Sequence, residues 1–285
     1  MEHFEGTFRG HGDVELYYQG WCPEDAQPRA TLAIVPGFGE HGGRYGNVVN
    51  WFVPRGYAAL AFDTRGNGRS PGRRGYVGRF EEYRGDLRAF LDLVRARQPE
   101  GPLFLLGHSQ GGLMVLDYAL HDPSGLDGVI ASSPALGRLP VSPLLLLLAR
   151  ALSSVWPGMS MATGLDVTAL SRDEAVVQAY VQDPLVHNLG TPRLGTELMA
   201  AIEWTQAHAG DLALPCLIVH GTNDRICPCE ASQAFFEACR CEDVERIAYE
   251  GGYHELFNDL DRERVLADVE AWLQRHLNPA LRQVG

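Results

Sequence analysis

A serine flanked by glycines is the first feature of this sequence with a chemical use. Gly107-His108-Ser109-Gln110-Gly111 matches the pattern G-x-S-x-G, and it lies between the apolar segment 103–106 and a segment of helical spacing, 111–120. A serine on a tight strand-to-helix turn exposes its hydroxyl, and glycines flank it because side chains there would collide. The helix N-terminus also favours developing negative charge. This context predicts a nucleophile rather than a capping serine.

A serine hydroxyl becomes a nucleophile only when a base takes its proton and an acid orients that base. On this kind of turn the three residues follow the chain order Ser, Asp, His. The predicted strand 216–220 ends in a loop with one carboxylate, Asp224, and the predicted strand 244–249 ends in a loop with one histidine, His254. The carboxyl ends of parallel strands meet at one edge of a sheet. We therefore predict that Ser109 is the nucleophile, Asp224 the acid and His254 the base.

Other residues compete for these roles. Asp63 follows the predicted strand 57–62, but it precedes the serine and breaks the chain order. Among ten histidines, His108 lies on the tight turn itself, and His276 lies in the last predicted helix. His220 ends a strand just before the acid loop and is predicted to be structural. Only His254 satisfies chain order, loop position and sheet edge together.

Acyl transfer also requires two N–H donors for the oxygen that becomes negative in the transition state. We expect the first to be the amide of Gln110, directly after the nucleophile. The second is the amide of Phe38, in the loop Pro36-Gly37-Phe38-Gly39 that follows the apolar segment 32–35. The glycines beside Phe38 let this backbone approach a substrate closely. Without the serine motif, the same loop would be an ordinary Gly-Pro turn.

The elements that must position these residues alternate between strand-like and helix-like segments, a pattern typical of a mainly parallel sheet covered by helices on both faces. The clearest helix is 80–97, whose apolar residues recur near 3.6-residue spacing. Further helices are predicted at 44–55, 111–120, 230–238 and 262–276, and further strands at 129–132 and in an N-terminal hairpin formed by 7–9 and 14–19.

The alternation stops between residues 135 and 214. This interval contains prolines, a leucine run and several amphipathic stretches, so a helical insertion fits better than an interrupted sheet. We therefore expect a core made of 1–134 and 215–285 and a helical cap made of 135–214. The cap would lie over the active site, because it follows the strand after the nucleophile helix.

The leucine run within the predicted cap, 144–148, has no polar face. Such a segment must be buried, or it must face an acyl chain or an interface. Leu145 and Leu147 are therefore candidate substrate-binding residues, and burial against the core is the alternative.

The composition of the 285 residues, 45% hydrophobic and 21% charged, suits a soluble globular protein. The net charge of −12 argues against nucleic acid or anionic lipid as an electrostatic partner. The first residues lack the basic and apolar regions of a secretory signal, and no apolar run is long enough to cross a bilayer. The sequence thus predicts a soluble cytoplasmic protein, with peripheral binding to membranes left open.

Six cysteines include two C-x-C pairs, Cys227/Cys229 and Cys239/Cys241. Zinc sites favour two to four intervening residues, so we expect no metal. A disulfide between Cys227 and Cys241, or between Cys229 and Cys239, remains open at this point.

Four stretches of the chain form a recognisable set of motifs. The stretches are Gly37-Phe38-Gly39-Glu40-His41 with Arg44-Tyr45, Asp63 to Ser70, Gly107 to Gly112, and His220 to Asp224 with His254-Glu255. Together they resemble the monoacylglycerol lipase and lysophospholipase group of α/β-hydrolases, and more loosely the wider serine aminopeptidase family. The combination of G-E-H-x-x-R-Y with D-x-R-G-x-G-x-S is specific to that group, and the likeness covers about residues 5–277. Asp183-Pro184-Leu185 resembles part of the family's cap.

The resemblance implies an α/β-hydrolase fold with a helical cap, hydrolysis of monoacylglycerols or related lipid esters, and no cofactor. Transient contact of the cap with a lipid interface is left open by the leucine run, which could face such an interface. The chain departs from the group at Pro36, where members commonly have a histidine that would help brace the oxyanion loop.

Two other classes of function compete with ester hydrolysis. The same triad also serves aminopeptidases, C–C bond hydrolases and cofactor-free perhydrolases, because specificity resides in the cap rather than in the triad. A non-catalytic binding protein on a hydrolase fold usually lacks the serine or the histidine, and this chain has both. The leading hypothesis is therefore a carboxylic-ester hydrolase that forms an acyl-enzyme on Ser109.

Overall fold

A computed structural model describes residues 1–24, 26–98, 100–137 and 143–277 of the chain. These residues form ten strands and eight α-helices. The strands are β1 (Glu2–Arg9), β2 (Glu15–Cys22), β3 (Thr31–Val35), β4 (Ala58–Phe62), β5 (Leu103–His108), β6 (Gly128–Ser132), β7 (Met161–Ala162), β8 (Leu189–Gly190), β9 (Cys216–Gly221) and β10 (Val244–Tyr249). The helices are α1 (Gly46–Phe52), α2 (Phe80–Arg97), α3 (Gln110–His121), α4 (Pro143–Val155), α5 (Glu174–Gln182), α6 (Pro192–Ala207), α7 (Cys229–Ala238) and α8 (Arg262–Leu277).

Eight of the strands form one sheet in the order β1-β2-β4-β3-β5-β6-β9-β10. From β4 to β10 all neighbouring strands are parallel, and only β2 runs antiparallel to both of its neighbours. The central strands are fully buried, as expected when helices cover both faces of a parallel sheet. The loops after β3, β5, β9 and β10 therefore lie at the same edge of the sheet.

The core has two layers, one on each face of the sheet. Along β3, Ala33 and Val35 pack with residues of α2 and α3, whereas Leu32 and Ile34 pack with residues of α1 and α8. Side chains of a strand alternate between faces, so every second residue serves each layer. Trp272 of α8 is completely buried in the second layer. This two-sided burial holds the loop-bearing edge of the sheet rigid.

The described residues between β6 and β9 add no strand to the large sheet. They contain α4, α5 and α6, together with β7 and β8, which form a separate two-stranded antiparallel sheet. The loss of the strand–helix alternation in the sequence therefore corresponds to a mainly helical region.

Most predicted elements are confirmed, including α2 at its predicted bounds. The helix predicted at 44–55 is wrong in part: the structure has a 3-10 turn at Gly42–Tyr45, then α1, then a second 3-10 turn at Val53–Arg55. Pro54 explains the change of helix type, because it has no N–H for the α-helical hydrogen bond.

All six cysteines are free thiols in the structure, so neither disulfide that the sequence left open is formed. Within the ranges given above, no helix is both long enough and apolar enough to cross a membrane.

Candidate active site

Ser109 occupies the turn between β5 and α3 in a strained backbone conformation, with φ of 54° and ψ of −118°. A positive φ is unusual for a residue other than glycine and persists only where the surroundings enforce it. Here the Ser109 amide donates to the carbonyl of Ser132, and its carbonyl accepts from the amides of Leu113 and Ala135. A Cβ on Gly111 would overlap the carbonyl of Val35, which explains the glycine of the motif.

His254 and Asp224 form a buried hydrogen-bonded pair at the same edge of the sheet. His254 Nδ1 lies 2.7 Å from Asp224 Oδ2, and Asp224 Oδ1 accepts the amides of Ile226 and Cys227 at 2.8 and 2.9 Å. Burial would raise the pKa of Asp224, but the charge of His254 and these hydrogen bonds outweigh it and hold the pKa well below its usual value. An ionised carboxylate only accepts hydrogen bonds, so His254 Nδ1 carries a proton. His254 Nε2 is therefore unprotonated and can accept a proton from another group.

His220 also contacts the acid, which the sequence did not predict. Its Nε2 lies 3.2 Å from Asp224 Oδ2 and 2.9 Å from the carbonyl of Cys227, and its Nδ1 lies 2.8 Å from Ser232 Oγ. The side chain is completely buried. His220 therefore helps to orient the carboxylate, through the same oxygen that His254 contacts. The only sequence signal was its position at the end of a strand, four residues before the acid.

The loop after β3 has one amide committed to a structural hydrogen bond, and the next residue borders the cavity. The Gly37 amide donates to Glu40 Oε1 at 2.6 Å, and Tyr45 donates its hydroxyl to the same oxygen at 2.8 Å. Phe38 follows and borders the cavity above Ser109. Gln110 is the first residue of α3, so its amide has no acceptor within the helix. The role of the Phe38 and Gln110 amides as oxyanion-hole donors stays a prediction.

A buried charged cluster lies behind this loop. Arg44 donates to Glu255 at 2.6 Å and lies 3.7 Å from Glu40. Burial tends to raise the pKa of Glu40, but the charge of Arg44, together with smaller effects that include the hydrogen bonds from Gly37 and Tyr45, lowers the pKa below its usual value. Burial, followed by the charge of His254, lowers the pKa of His108 to about 3, so that the imidazole next to the nucleophile is neutral. Glu40 and Arg44 are the charged residues of the G-E-H-x-x-R-Y motif, and their contacts with Gly37 and Glu255 support the site.

Ser109 and His254 border one cavity of about 70 Å³. Its wall is mostly apolar, and much of it comes from the region predicted to be the cap. The apolar and aromatic lining residues are Phe38, Leu165, Leu170, Tyr180 and Ile226. A larger surface groove of about 710 Å³ lies at the N-terminal hairpin, around Phe4 and Arg97, and contains none of the predicted site residues.

Leu147, one of the two predicted substrate-binding leucines, does not border this cavity. Leu147 is 64% exposed on α4. Leu145 lies outside the residues whose side chains the structure describes. The apolar wall above Ser109 comes instead from residues of the 165–180 interval, which the sequence did not single out.

Asp259 links Arg172, which belongs to the predicted cap, to the loop that carries His254. One carboxylate oxygen accepts from the amide of Arg172 at 2.8 Å, and the other accepts from Arg172 Nε at 2.8 Å and from the amide of Tyr253 at 3.0 Å. The Glu255 amide donates to the carbonyl of Leu170 at 2.8 Å. The residues on both sides of His254 are therefore held by contacts with residues 170–172.

Asp259→Ala is expected to lower the free energy of unfolding by about 2–4 kcal/mol at neutral pH, because three donors lose a buried charged acceptor. Burial would raise the pKa of Asp259, but its hydrogen bonds lower it below the usual 3.8. A depressed carboxylate pKa contributes stability above the unfolded-state value, and this contribution disappears as the pH falls through the folded-state value. The parent protein and Asp259→Ala should therefore differ less in their free energy of unfolding at about pH 3 than at about pH 7. Urea unfolding of the two proteins at both pH values measures this difference.

Asp261→Ala is the matched control, since Asp261 also pairs with Arg172 but is about half exposed. An exposed pair contributes at most about 1 kcal/mol. A stability difference for Asp259→Ala that stayed constant down to acidic pH would contradict the ionic origin of the effect.

A serine on a strained strand-to-helix turn, with a histidine and its carboxylate at the same edge of a mostly parallel sheet, defines a serine hydrolase of the α/β-hydrolase fold. Comparisons with known proteins agree. The family model described as "Serine aminopeptidase, S33" matches residues 26–261. The chain belongs to this family, and it is a serine ester hydrolase similar to the monoacylglycerol lipase group.

Individual relatives cover nearly the whole chain. The monoacylglycerol lipase of Mycolicibacterium smegmatis is 36% identical over 275 residues, which are 96% of this chain and 98% of that protein. The crystal structure of the Paleococcus ferrophilus monoacylglycerol lipase has a TM-score of 0.80 at 34% identity and covers 97% of this chain and 100% of that one. A soluble variant of the Saccharomyces cerevisiae monoglyceride lipase, in complex with a substrate analog, has a TM-score of 0.84 at 25% identity, with 94% of both chains covered.

Proposed function

We propose that this protein hydrolyses monoacylglycerols and closely related acyl esters. Ser109 is the nucleophile, His254 the general base, Asp224 the orienting acid, and the amides of Phe38 and Gln110 form the oxyanion hole. The observation that carries the proposal is the Asp224–His254 hydrogen bond at the cavity that His254 shares with Ser109. The names of the relatives support the choice of substrate.

The reaction follows from this arrangement. His254 Nε2 takes the Ser109 proton as Oγ attacks the ester carbonyl carbon. The carbonyl oxygen becomes negative and accepts hydrogen bonds from the amides of Phe38 and Gln110. When the intermediate collapses, the C–O bond to glycerol breaks and His254 returns its proton to the glycerol oxygen. Water then attacks the acyl-enzyme with the same histidine as base, and the fatty acid leaves.

We propose further that residues 135–214 form a cap over a core made of 1–134 and 215–285. The apolar wall above Ser109 supports this division, because Leu165, Leu170 and Tyr180 all belong to that interval. A cavity of about 70 Å³ holds only two or three water-sized volumes of about 30 Å³ each, far less than a long acyl chain. Binding of such a chain therefore requires the cap to shift outward, a common step in lidded enzymes.

The substrate proposal predicts a steep dependence on acyl length. Each buried methylene contributes up to about 0.8 kcal/mol, so kcat/KM for p-nitrophenyl esters should rise several-fold per methylene from acetate until the site is full. Monoacylglycerols should be hydrolysed, and amino-acid anilides should not. Faster cleavage of the anilides would favour the aminopeptidase alternative, and a profile independent of chain length would contradict an acyl-binding site.

The proposed cap also carries exposed apolar side chains, which supports contact with a lipid surface. Leu147, Val155 and Trp156 are 64%, 84% and 61% exposed, and they lie on α4 and directly after it. A group of exposed apolar residues commonly marks an interaction site. With a net charge of −12, the attraction would be apolar rather than electrostatic, so zwitterionic lipid is the better surface.

Leu147→Asp tests this interfacial contact. We expect hydrolysis of monoacylglycerol in phosphatidylcholine vesicles to fall about tenfold, which corresponds to the loss of roughly one buried leucine. Hydrolysis of soluble p-nitrophenyl acetate should fall far less. Leu260→Asp is the matched control, because Leu260 is 59% exposed but lies outside the proposed cap. Equal losses on both substrates, or the same loss for Leu260→Asp, would refute a specific contact through α4.

A further inference from the structure

The segment 183–189 contacts the loop that carries Phe38. Gly39 has a φ of +72°, and its carbonyl accepts the amide of His187 at 2.9 Å. A Cβ at this glycine would overlap the carbonyl of His187. The two backbones thus lie in direct contact immediately after Phe38, which borders the cavity.

The His187 ring makes three further contacts in this region. It lies edge-on to Phe38, with ring centroids 5.6 Å apart and an interplanar angle of 80°. Its Nδ1 accepts the amide of Leu189 at 3.2 Å, so Nε2 carries the proton and donates to Asn67 Oδ1 at 2.8 Å. Burial lowers the pKa of His187 to about 4, so the neutral ring keeps this one tautomer at neutral pH.

A second tie holds the far end of the same loop. His41 Nδ1 accepts the amide of Gly43 at 3.2 Å, and His41 Nε2 therefore donates to Asp183 Oδ2 at 2.9 Å. The other oxygen of Asp183 accepts the amide of Leu185 at 2.8 Å. Two stretches that carry the family resemblance, G-E-H and Asp183-Pro184-Leu185, thus meet across 142 residues of sequence.

We propose that Asp183 and His187 are positioning residues that fix the amide of Phe38 where the oxyanion forms. This proposal rests on the proposed function. The loop begins at Pro36, which has no side-chain hydrogen bond to offer. The segment 183–189 supports the loop through its contacts with Phe38, Gly39 and His41.

A positioning role predicts a particular kinetic signature. An oxyanion-hole donor acts on charge that develops only in the transition state, so its displacement lowers kcat and leaves KM nearly unchanged. Because misplacement by 1 Å can cost on the order of a hundredfold, we expect His187→Ala to lower kcat about tenfold to thirtyfold. Loss of fold would lower the fraction of active enzyme instead.

The experiment measures kcat and KM of the full chain on p-nitrophenyl butyrate, normalised to active sites titrated with a fluorophosphonate. His187→Gln should recover most of kcat, because its amide can still donate to Asn67. His208→Ala is the matched control: His208 is a partly buried histidine of the same region that stacks on Trp204, away from the site. It should keep the parental kcat. Asp183→Asn tests the second tie, with an expected loss of about threefold, and decides the matter if His187→Ala does not fold.

A second readout reports the oxyanion hole directly. An aliphatic trifluoromethyl ketone adds to the nucleophilic serine and places a negative oxygen in the hole, whereas the corresponding secondary alcohol does not. The inhibition constant of the ketone should rise by the same factor by which kcat falls, and that of the alcohol should stay constant. Unchanged kcat and ketone inhibition in both His187→Ala and Asp183→Asn would overturn the proposal. Full activity of Ser109→Ala would overturn the proposed function itself, so the two failures are distinguishable.

Discussion

Ser109→Ala is expected to abolish covalent labelling by a fluorophosphonate and to lower kcat on p-nitrophenyl esters by about 10⁴- to 10⁶-fold. The hydroxyl is the atom that forms the acyl-enzyme, and no neighbouring group can replace it without rebuilding the turn. Folding should be unaffected, because the hydroxyl makes only a weak hydrogen-bond contact within the described residues, 4.0 Å to Cys227 Sγ. The melting temperature should therefore match that of the parent protein.

Ser124→Ala is a suitable control, because Ser124 is an exposed serine in the loop after α3. It should label and turn over normally. If Ser109→Ala retained near-full esterase activity, the nucleophile would have to lie elsewhere, and the whole site assignment would be wrong.

Asp224→Asn is expected to lower kcat by about 10³- to 10⁴-fold while the protein stays folded. The amide oxygen can still accept the two backbone amides that now contact Oδ1. The amide nitrogen then stands in place of Oδ2 and donates to His254 Nδ1, which leaves the proton on Nε2. In that tautomer the imidazole cannot take a proton from Ser109. His220 keeps its other acceptor, the carbonyl of Cys227, so its burial need not destabilise the variant.

Asp63→Asn separates the acid from its rival. Asp63 accepts the amides of Gly42 and Arg69, both at 2.8 Å, which marks it as a support for the loops after β3 and β4. We expect this variant to lose stability and to keep kcat within about tenfold of the parent, since one backbone donor loses its charged acceptor. Thermal unfolding and kcat measured on the same preparations give both quantities. A large loss of kcat in Asp63→Asn with none in Asp224→Asn would reverse the assignment.

Much of the site followed from local sequence patterns. The motif around Ser109 lies between an apolar strand and a helix, the loop of Asp224 follows the apolar strand β9, and the loop of His254 follows the mixed edge strand β10. These signals are readable because periodicity and glycine spacing are properties of neighbouring residues. The parallel sheet then brings the ends of those strands to one edge, so the positions of the three loops needed no knowledge of distant contacts.

Partner choice among distant residues was not readable in the same way. Even His220, only four residues before Asp224, had no pattern that linked it to the acid, although the two side chains are in contact. The pairing of His41 with Asp183 joins two separate motifs, and neither one indicates the other. A hydrogen bond between side chains far apart in sequence leaves no periodic trace, because it depends on how the elements pack.

The leucine run of α4 also separates what a sequence pattern predicts from what depends on packing. A segment that is apolar on all sides must be covered by protein, ligand or lipid, but its pattern does not say which side chain meets which surface. Only the tertiary structure showed that Leu147 is exposed and that Leu165, Leu170 and Tyr180 line the cavity above Ser109. The sequence by itself determined the fold class, the family and the residues able to do the chemistry, since these depend on local order along the chain. The tertiary structure alone decided what braces those residues and what covers them, because both arise from contacts between segments that the chain brings together only on folding.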